Sequence, residues 1–377
     1  MRERGAPPRR ERPSHFSFAA GGERTDVVVG AGAFRSLASR LGDIAPGRWF
    51  LVSSRRVFAL HGERLLGGSG GALDPRPLFV PDGEAAKTWN VLGRLLSDLS
   101  GRGLKRDGGV VALGGGTVGD VAGLAAALAL RGVPVVQVPT TLLAAADSAL
   151  GGKTAVDLAA GKNLAGAFHM PRLVAVEPSV LTTLSPRAYR SGLAEVIKSA
   201  LLSPPFFRAM PRLAPGLSAR RPGAVSEAVR RSLAMKAAVV AADPFERGGL
   251  RFALNLGHTV GHALEAASGY RLTHGEAVAW GLLAALNLSE ERAGLPPRIA
   301  GRARAWILGL VRPRRPPAAA MRTWVKRLGA DKKSDRSGLV AVVLSAPGRP
   351  LLRRVTPQEL GAAFEGCLPA YNSFETR

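Results

Sequence analysis

The run Val110–Leu113 passes directly into Gly114-Gly115-Gly116-Thr117-Val118-Gly119-Asp120, a helical pattern continues to Leu130, and a second β-branched run follows at Val135–Val138. Strand, glycine-rich turn, helix and strand in that order make a βαβ unit, which commits the chain to a parallel sheet covered by helices. Further candidate strands at Asp26–Val29, Trp49–Val52, Leu78–Val80 and Leu173–Val176, with a helical pattern over Ala85–Leu99, extend the alternation through the first half. From about Leu181 the β signal fades into long Ala/Leu-rich helical patterns punctuated by Pro and Gly, with one late strand-like run at Leu339–Leu344. The expectation is an α/β, nucleotide-binding (Rossmann-like) N-terminal domain over residues 23–180 and a mainly α-helical C-terminal domain over 181–377. Residues 1–22, basic and Pro-containing, read as a flexible tail.

Three glycines at a strand-to-helix turn let the backbone approach a phosphate, and the helix start offers unpaired N–H groups to it. Pro139-Thr140-Thr141 ends the next strand and adds two hydroxyls at the same sheet edge, where open α/β sheets bind their ligands. Together these turns read as a dinucleotide site.

Charge narrows the partners. The formal net charge is +24, and much of the excess is Arg in the tail, around Arg208 to Arg231 and between Arg298 and Arg327. Those stretches lack interleaved aromatics and any zinc-finger or RNP pattern, so they read as solvated faces, with no specific nucleic-acid partner expected. No apolar run reaches the ~18 residues of a membrane span and the tail has no signal-peptide core, so no membrane partner and a cytoplasmic location are expected. The single Cys367 excludes an intrachain disulfide and a Cys-rich zinc site.

The lysines single out a site. There are nine against 43 arginines, and Lys87, Lys153, Lys162, Lys198, Lys236, Lys332 and Lys333 lie in or beside motifs dense in Gly, Asp, Asn, Glu or His. A compact, titratable ammonium is worth keeping where chemistry needs one. Of these, Lys153, Lys162, Lys198 and Lys236, with Arg131, Asn163, Arg251 and Asn255, supply donors for a polyhydroxylated anion. Asn255-Leu256-Gly257-His258-Thr259-Val260-Gly261-His262 sets two imidazoles on one helix face, His274-Gly275-Glu276 adds a third, and Glu195 can add a carboxylate from another helix. Imidazoles with a carboxylate and an open position are a catalytic divalent-metal set that suits zinc. Thr259 stands where the base of an HExxH peptidase would be, so peptidase chemistry is not implied.

These motifs, GGGTVGDVAG, RGVP, PTTLLA, DSALGGKT, GKNLAGAF, GLAEVIK, NLGHTVGHALEA, HGEAV and DKK, resemble the 3-dehydroquinate synthase family of sugar-phosphate cyclases from about Asp82 to Leu344. The resemblance implies a metal- and NAD-dependent cyclisation of 3-deoxy-D-arabino-heptulosonate 7-phosphate to 3-dehydroquinate with release of phosphate, carried out by a homodimer. It makes Glu195, His258 and His274 the ligands of a zinc or cobalt ion. It assigns NAD to Asp82, Gly83, Glu84, Lys87, Gly115, Gly116, Gly119, Asp120, Thr140, Thr141, Lys153, Lys162 and Thr182. Substrate falls to Asp147, Lys153, Asn163, Lys198, Lys236, Arg251, Asn255, His262, Lys332 and Lys333, with His262 as proton shuttle and Arg131 reaching a phosphate in the neighbouring subunit.

Two departures stand out. The stretch Asp243–Arg251 is one residue longer than the family spacing, which leaves Glu246 without a direct counterpart, and Ser53-Ser54-Arg55 replaces the more usual Thr-Asp or Thr-Asn. A sister cyclase acting on sedoheptulose 7-phosphate or glucose 6-phosphate, and a metal-dependent polyol dehydrogenase, are the alternatives. Retention of GGKT, NLGH and DKK favours the carboxylate-bearing substrate.

Overall fold

A computed structural model describes residues 13–330 and 339–375. The chain forms two compact units: residues 13–18, 23–140 and 152–182 make the first, and residues 19–22, 141–151, 183–330 and 339–375 make the second.

The first unit is built on a seven-stranded sheet of β1 (Ser14–Ala20), β2 (Glu23–Val29), β3 (Trp49–Ser54), β4 (Leu78–Val80), β5 (Gly109–Gly114), β6 (Val135–Pro139) and β9 (Leu173–Val176), in the order β1-β2-β9-β6-β5-β3-β4. Every pairing from β2 through β4 is parallel, with Leu51 opposite Val111 and Val111 opposite Val136 in the centre. Strands β3, β5, β6 and β9 are buried along their whole length, as continuous apolar runs in a doubly covered sheet must be. The connecting helices are α1 (Leu37–Ile44), α2 (Arg55–Gly68), α3 (Trp89–Gly101) and α4 (Gly116–Leu128). The buried side chains of α3 and α4, among them Leu92, Leu95, Val121 and Leu124, share a core with Phe50, Val52, Val110 and Ala112 from the sheet.

Two sequence expectations are corrected here, and one unassigned segment gains its structure. Residues 14–20, read as tail, form β1. The helical pattern over Ala85–Leu99 breaks into a 3₁₀ turn at Gly83–Ala86 and α3, because Thr88 accepts the Val91 N–H and starts the helix anew. The segment 152–168, without a sequence assignment, is an antiparallel hairpin of β7 (Lys153–Leu158) and β8 (Gly161–Phe168).

The second unit is helical, with α5 (Pro186–Leu201), α6 (Pro204–Ser218), α7 (Pro222–Ala242), α8 (His258–Ala267), α9 (His274–Ala293), α10 (Pro297–Trp306), α11 (Ala318–Thr323), α12 (Pro357–Glu365) and α13 (Leu368–Glu375). The late strand is present as β10 (Leu339–Ala346), paired antiparallel with β11 (Arg349–Val355). Segment 141–151 joins this unit, so the division is not a single cut near residue 180. Its π-type turn, Ala144–Ser148, buries three alanines and packs on α5 and α7. No helix of the described residues is long and apolar enough to cross a membrane.

Candidate active site

Three helices of the second unit bring Glu195, His258 and His274 together. α5 carries Glu195, α8 begins at His258 and α9 begins at His274. The helices can approach because the sequence removes side chains at the crossings. A Cβ on Gly275 would lie 1.9 Å from the Ser191 carbonyl oxygen of α5, and one on Gly281 would lie 1.8 Å from the Gly257 carbonyl oxygen ahead of α8. One donor atom from each of Glu195, His258 and His274 fits within a 4.8 Å span, the dimension of a cation's inner sphere. Glu195 Oε1 stands 3.6 Å from His258 Nε2 and 3.3 Å from His274 Nε2. The exposed His262 ring packs beside them, its centroid 5.1 Å from that of His258 and 5.9 Å from that of His274.

Electrostatics suit the donor set to a cation. Burial pushes the Glu195 carboxyl upward, but the Lys198 ammonium and the two histidines outweigh it and hold the group well below the usual carboxylate range. Burial, reinforced by Lys198, pulls His258 well below the ordinary imidazole value, so its ring is neutral and free to donate a lone pair. For His274, burial is overcome by Glu195 and Glu265, and the ring is pushed up to about 10. Two imidazoles and an ionised carboxylate are a donor set for a catalytic divalent metal, which on binding would displace the Nε2 proton of His274.

A chain of alternating charge runs on from this set. Lys198 Nζ lies 2.5 Å from Glu195 Oε2 and 3.7 Å from Asp147 Oδ1, and Asp147 Oδ1 lies 2.8 Å from Lys236 Nζ. Lys236 also donates to the Asp147 carbonyl at 2.7 Å. Burial pulls Lys236 down despite Asp147, whereas Asp147 and Glu195 overcome burial at Lys198 and raise it. Arg251 is buried beside them, donating from Nη2 to the Gly151 carbonyl at 2.6 Å and from Nη1 to that of Pro244 at 2.7 Å. Ser148 Oγ and Asn255 Nδ2 are buried without a hydrogen-bond partner among the described residues, which is costly unless a ligand meets them.

The longer Asp243–Arg251 loop is organised from its first residue. Asp243 Oδ1 accepts the N–H groups of Arg247 and Gly248, and Oδ2 accepts that of Arg251. Glu246 takes a φ of 58°, in the left-handed region, and its carboxylate acts electrostatically on Arg251.

The first unit gathers a second group. Lys87, buried after the exposed turn of Asp82, Gly83 and Glu84, pairs with Asp120 at 2.6 Å and donates to the Asn163 side chain. Lys162 reaches Glu84 at 3.2 Å. Gly115 is the N-cap of α4 and Gly116 its first residue, whereas Gly119 serves packing, since a Cβ there would meet Gln137 Oε1 at 2.7 Å. Thr140 is buried at the end of β6, and Thr141 enters the second unit by accepting the Ala144 N–H. Thr182 is exposed and donates to the Ser179 carbonyl. Lys153 is exposed at the start of β7, and Arg131 is exposed in the turn after α4. Lys332 and Lys333 lie outside the described residues.

Residues that motif reading passed over support the ones it found. Glu265 accepts from His274, and Glu276 forms a capping box with Thr273 while its carboxylate takes Arg187 at 2.7 Å and Arg314 at 3.0 Å. Glu265 falls seven residues after His258, on the same helix face, which is the signal that could have found it.

The architecture and donor set place the chain in the class of sugar-phosphate cyclases. A structure of 2-deoxy-scyllo-inosose synthase complexed with carbaglucose-6-phosphate, NAD+ and Co2+ aligns over 94% of this chain and 99% of that chain, with a TM-score of 0.81 and 25% identity. ValA, a 2-epi-5-epi-valiolone synthase from Streptomyces hygroscopicus with NAD+ and Zn2+ bound, aligns over 92% and 97% with a TM-score of 0.77 and 27% identity. Within that class, the family described as 3-dehydroquinate synthase N-terminal matches residues 77–191, and 3-dehydroquinate synthase C-terminal matches residues 192–334. The 3-dehydroquinate synthase of Laribacter hongkongensis is 46% identical over 260 residues, 68% of this chain and 72% of that protein. The chain belongs to the 3-dehydroquinate synthase family.

Proposed function

We propose that the protein converts 3-deoxy-D-arabino-heptulosonate 7-phosphate to 3-dehydroquinate and phosphate, a carbon–oxygen lyase reaction of the shikimate pathway, which leads to the aromatic amino acids. The observation that carries this reading is the meeting of Glu195, His258 and His274 in one donor set, coupled through Lys198 to Asp147 and Lys236, in a chain of this family. Glu195, His258 and His274 hold a divalent metal, zinc or cobalt, and the Lys87–Asp120–Asn163 group with the Gly115–Gly116 turn supports NAD binding by the first unit. When bound, the metal supplies Lewis acidity to a substrate hydroxyl and NAD supplies a reversible hydride acceptor.

The protein's own groups bind, orient and move protons. Lys198, Lys236, Arg251 and Asn255 give an anionic, polyhydroxylated substrate fixed donors, and Asp147 aims the Lys236 ammonium through both its carboxylate and its carbonyl. Fixed donors matter most for closing the ring, since they hold a flexible chain in one folded conformer. His262 is the proton shuttle: its imidazole is accessible beside the ligands without belonging to the donor set. The family pattern also gives Lys153, Lys332 and Lys333 to the substrate, and Asp82, Gly83, Glu84, Gly119, Thr140, Thr141, Lys162 and Thr182 to NAD. The enzyme works as a cytoplasmic homodimer, with Arg131 serving the neighbouring subunit. Support comes from the turn after α4, where Leu130 and Arg131 take φ of 51° and 68° and Leu128 and Leu130 are exposed beside the guanidinium.

The test is phosphate release from 3-deoxy-D-arabino-heptulosonate 7-phosphate with zinc or cobalt and a trace of NAD, while NADH absorbance is followed. Many turnovers per NAD without net NADH support the reading. Net NADH would point to a polyol dehydrogenase, and turnover of sedoheptulose 7-phosphate alone would point to a sister cyclase.

A further inference from the structure

His274 is gripped at both ring nitrogens. Its Nε2 stands 3.3 Å from Glu195 Oε1, and its Nδ1 stands 3.1 Å from Glu265 Oε2. A neutral imidazole carries one proton, and the nitrogen that bears it cannot ligate a metal. Without a metal each nitrogen faces a carboxylate with its own N–H, Nε2 toward Glu195 and Nδ1 toward Glu265; a cation held there would replace the Nε2 proton while Glu265 keeps the one on Nδ1. His258 is disposed in the same sense, with Nδ1 3.1 Å from the Leu256 carbonyl oxygen and Nε2 3.6 Å from Glu195 Oε1. Both histidines therefore offer Nε2 to the same carboxylate oxygen, but a neutral carbonyl orients one and an anion orients the other.

The placement of Glu265 gives this contact a mechanical consequence. Glu265 projects from α8, the helix that starts with His258, while His274 starts α9. The side chain that orients the second ligand is thus carried by the helix of the first, and the Glu265–His274 contact fixes the two ligand-bearing helix starts relative to each other. Glu265 is partly buried, its side chain 13% exposed, so the contact is sheltered from water. The backbone at His274 is braced separately by Glu276, Thr273, Arg187 and Arg314. That brace sets where the residue sits, and Glu265 sets which way its ring faces.

We propose that Glu265 is a positioning residue for the metal centre: its carboxylate holds the Nδ1–H of His274, and so delivers Nε2 to the cation as a more basic, pre-oriented ligand. This rests on the metal assignment made under the proposed function.

The test uses the full-length protein and two variants, Glu265→Gln and Glu265→Ala. Each is freed of metal and titrated with Co2+ in competition with a chromophoric chelator, and the visible spectrum of the Co2+ form and the thermal midpoint of the metal-free form are recorded alongside. Glu265→Gln should bind Co2+ about tenfold more weakly with a parent-like spectrum, because its amide oxygen still accepts the proton but carries no charge. Glu265→Ala should bind about 100-fold more weakly with an altered spectrum, the range expected for loss of an orienting carboxylate. A metal-free midpoint equal to the parent's separates orientation of the ligand from support of the fold. Should Glu265→Ala fail to fold, the near-isosteric Glu265→Gln decides alone. Parent-like affinity and spectrum in the variants that fold would overturn the inference while leaving the metal assignment standing. A parent that takes up no stoichiometric Co2+ would overturn both.

Discussion

Lys198 Nζ lies 2.5 Å from Glu195 Oε2, one helical turn away on α5, and both residues are buried. Taking two charges out of water is costly, and the pair is tolerated because each member has further partners: Asp147 for the ammonium, His258 and His274 for the carboxylate. The ammonium helps to keep Glu195 ionised, a role shared by His258 and His274 and by any bound cation, and it is not itself a donor to a metal.

Lys198 and His274 should accordingly fail in different ways. Lys198→Met should keep one metal ion per chain and lose about 100-fold in the rate of phosphate release, the scale of removing one preorganised donor. His274→Ala should lose both metal and activity while keeping its helical content. Elemental analysis, circular dichroism and a phosphate assay on the two variants check this; loss of metal from Lys198→Met would make the lysine a structural part of the donor set.

Asp147 binds two buried lysines and should show its worth in stability. Asp147→Ala removes the carboxylate facing Lys236 while the carbonyl of residue 147 still accepts from it, and should cost about 3 kcal/mol, as expected when one member of a buried ion pair is deleted. The pH dependence follows from the depressed carboxyl: burial works against it, and Lys198 and Lys236 prevail. A depressed folded value means that the stabilisation is present above the unfolded carboxyl value of about 4 and is lost as pH falls below it. Urea midpoints of the metal-free protein between neutral pH and pH ~3 should therefore fall more steeply for the parent than for Asp147→Asn. Parallel curves would remove Asp147 from the acid limb.

Arg131 offers a test of subunit cooperation. If it serves the neighbouring site, Arg131→Ala and Lys198→Met proteins, each nearly inactive, should recover activity when mixed under conditions of subunit exchange, because one site of the mixed dimer then has both residues. Failure to exceed either parent after labelled subunits are seen to exchange would confine Arg131 to its own chain.

The sequence marked the metal site through its concentration of imidazoles, but helical spacing paired His258 with His262; the choice of Glu195, His258 and His274 came from the family resemblance, and the fold brings those three donors within one 4.8 Å span. The parallel strands were legible from the residues themselves: Trp49–Val52, Val110–Leu113 and Val135–Val138 are continuous apolar runs, and burial on both faces requires such runs. The hairpin β7–β8 was not. Its strands are half-exposed and mix Lys, Asp, Asn and Gly, and Asn163 bends the strand with a φ of 55°, so neither period dominates. Nor could local pattern reveal that Thr141–Gly151 leaves the sheet, since its partners Gly192, Lys198 and Lys236 are distant in sequence. Glu265 and Glu276 share that invisibility: each lies inside a recognised motif, yet its role depends on which side chain from another segment faces it.

Gly275 carries the last prediction, because it connects packing to chemistry in one atom. Its N–H donates to Ser191 Oγ at 3.0 Å, and a Cβ placed on it would stand 1.9 Å from the Ser191 carbonyl oxygen, a distance no adjustment of a side chain can relieve. Gly275→Ala must push the start of α9 away from α5. Glu195 lies four residues beyond Ser191 on α5 and His274 immediately precedes Gly275, so the displacement acts on two ligands at once. The expected cost is about 1–3 kcal/mol of stability, as for overpacked cores, together with weaker metal binding. Gly301→Ala is the control: it lies within α10, nothing stands within 4 Å of its Cβ position, and Ala is the better helix former, so stability should hold or rise. Thermal midpoints and Co2+ titrations of the two variants check the pair. A Gly275→Ala protein that binds Co2+ like the parent would show that the ligands tolerate a wider α5–α9 spacing than this site requires.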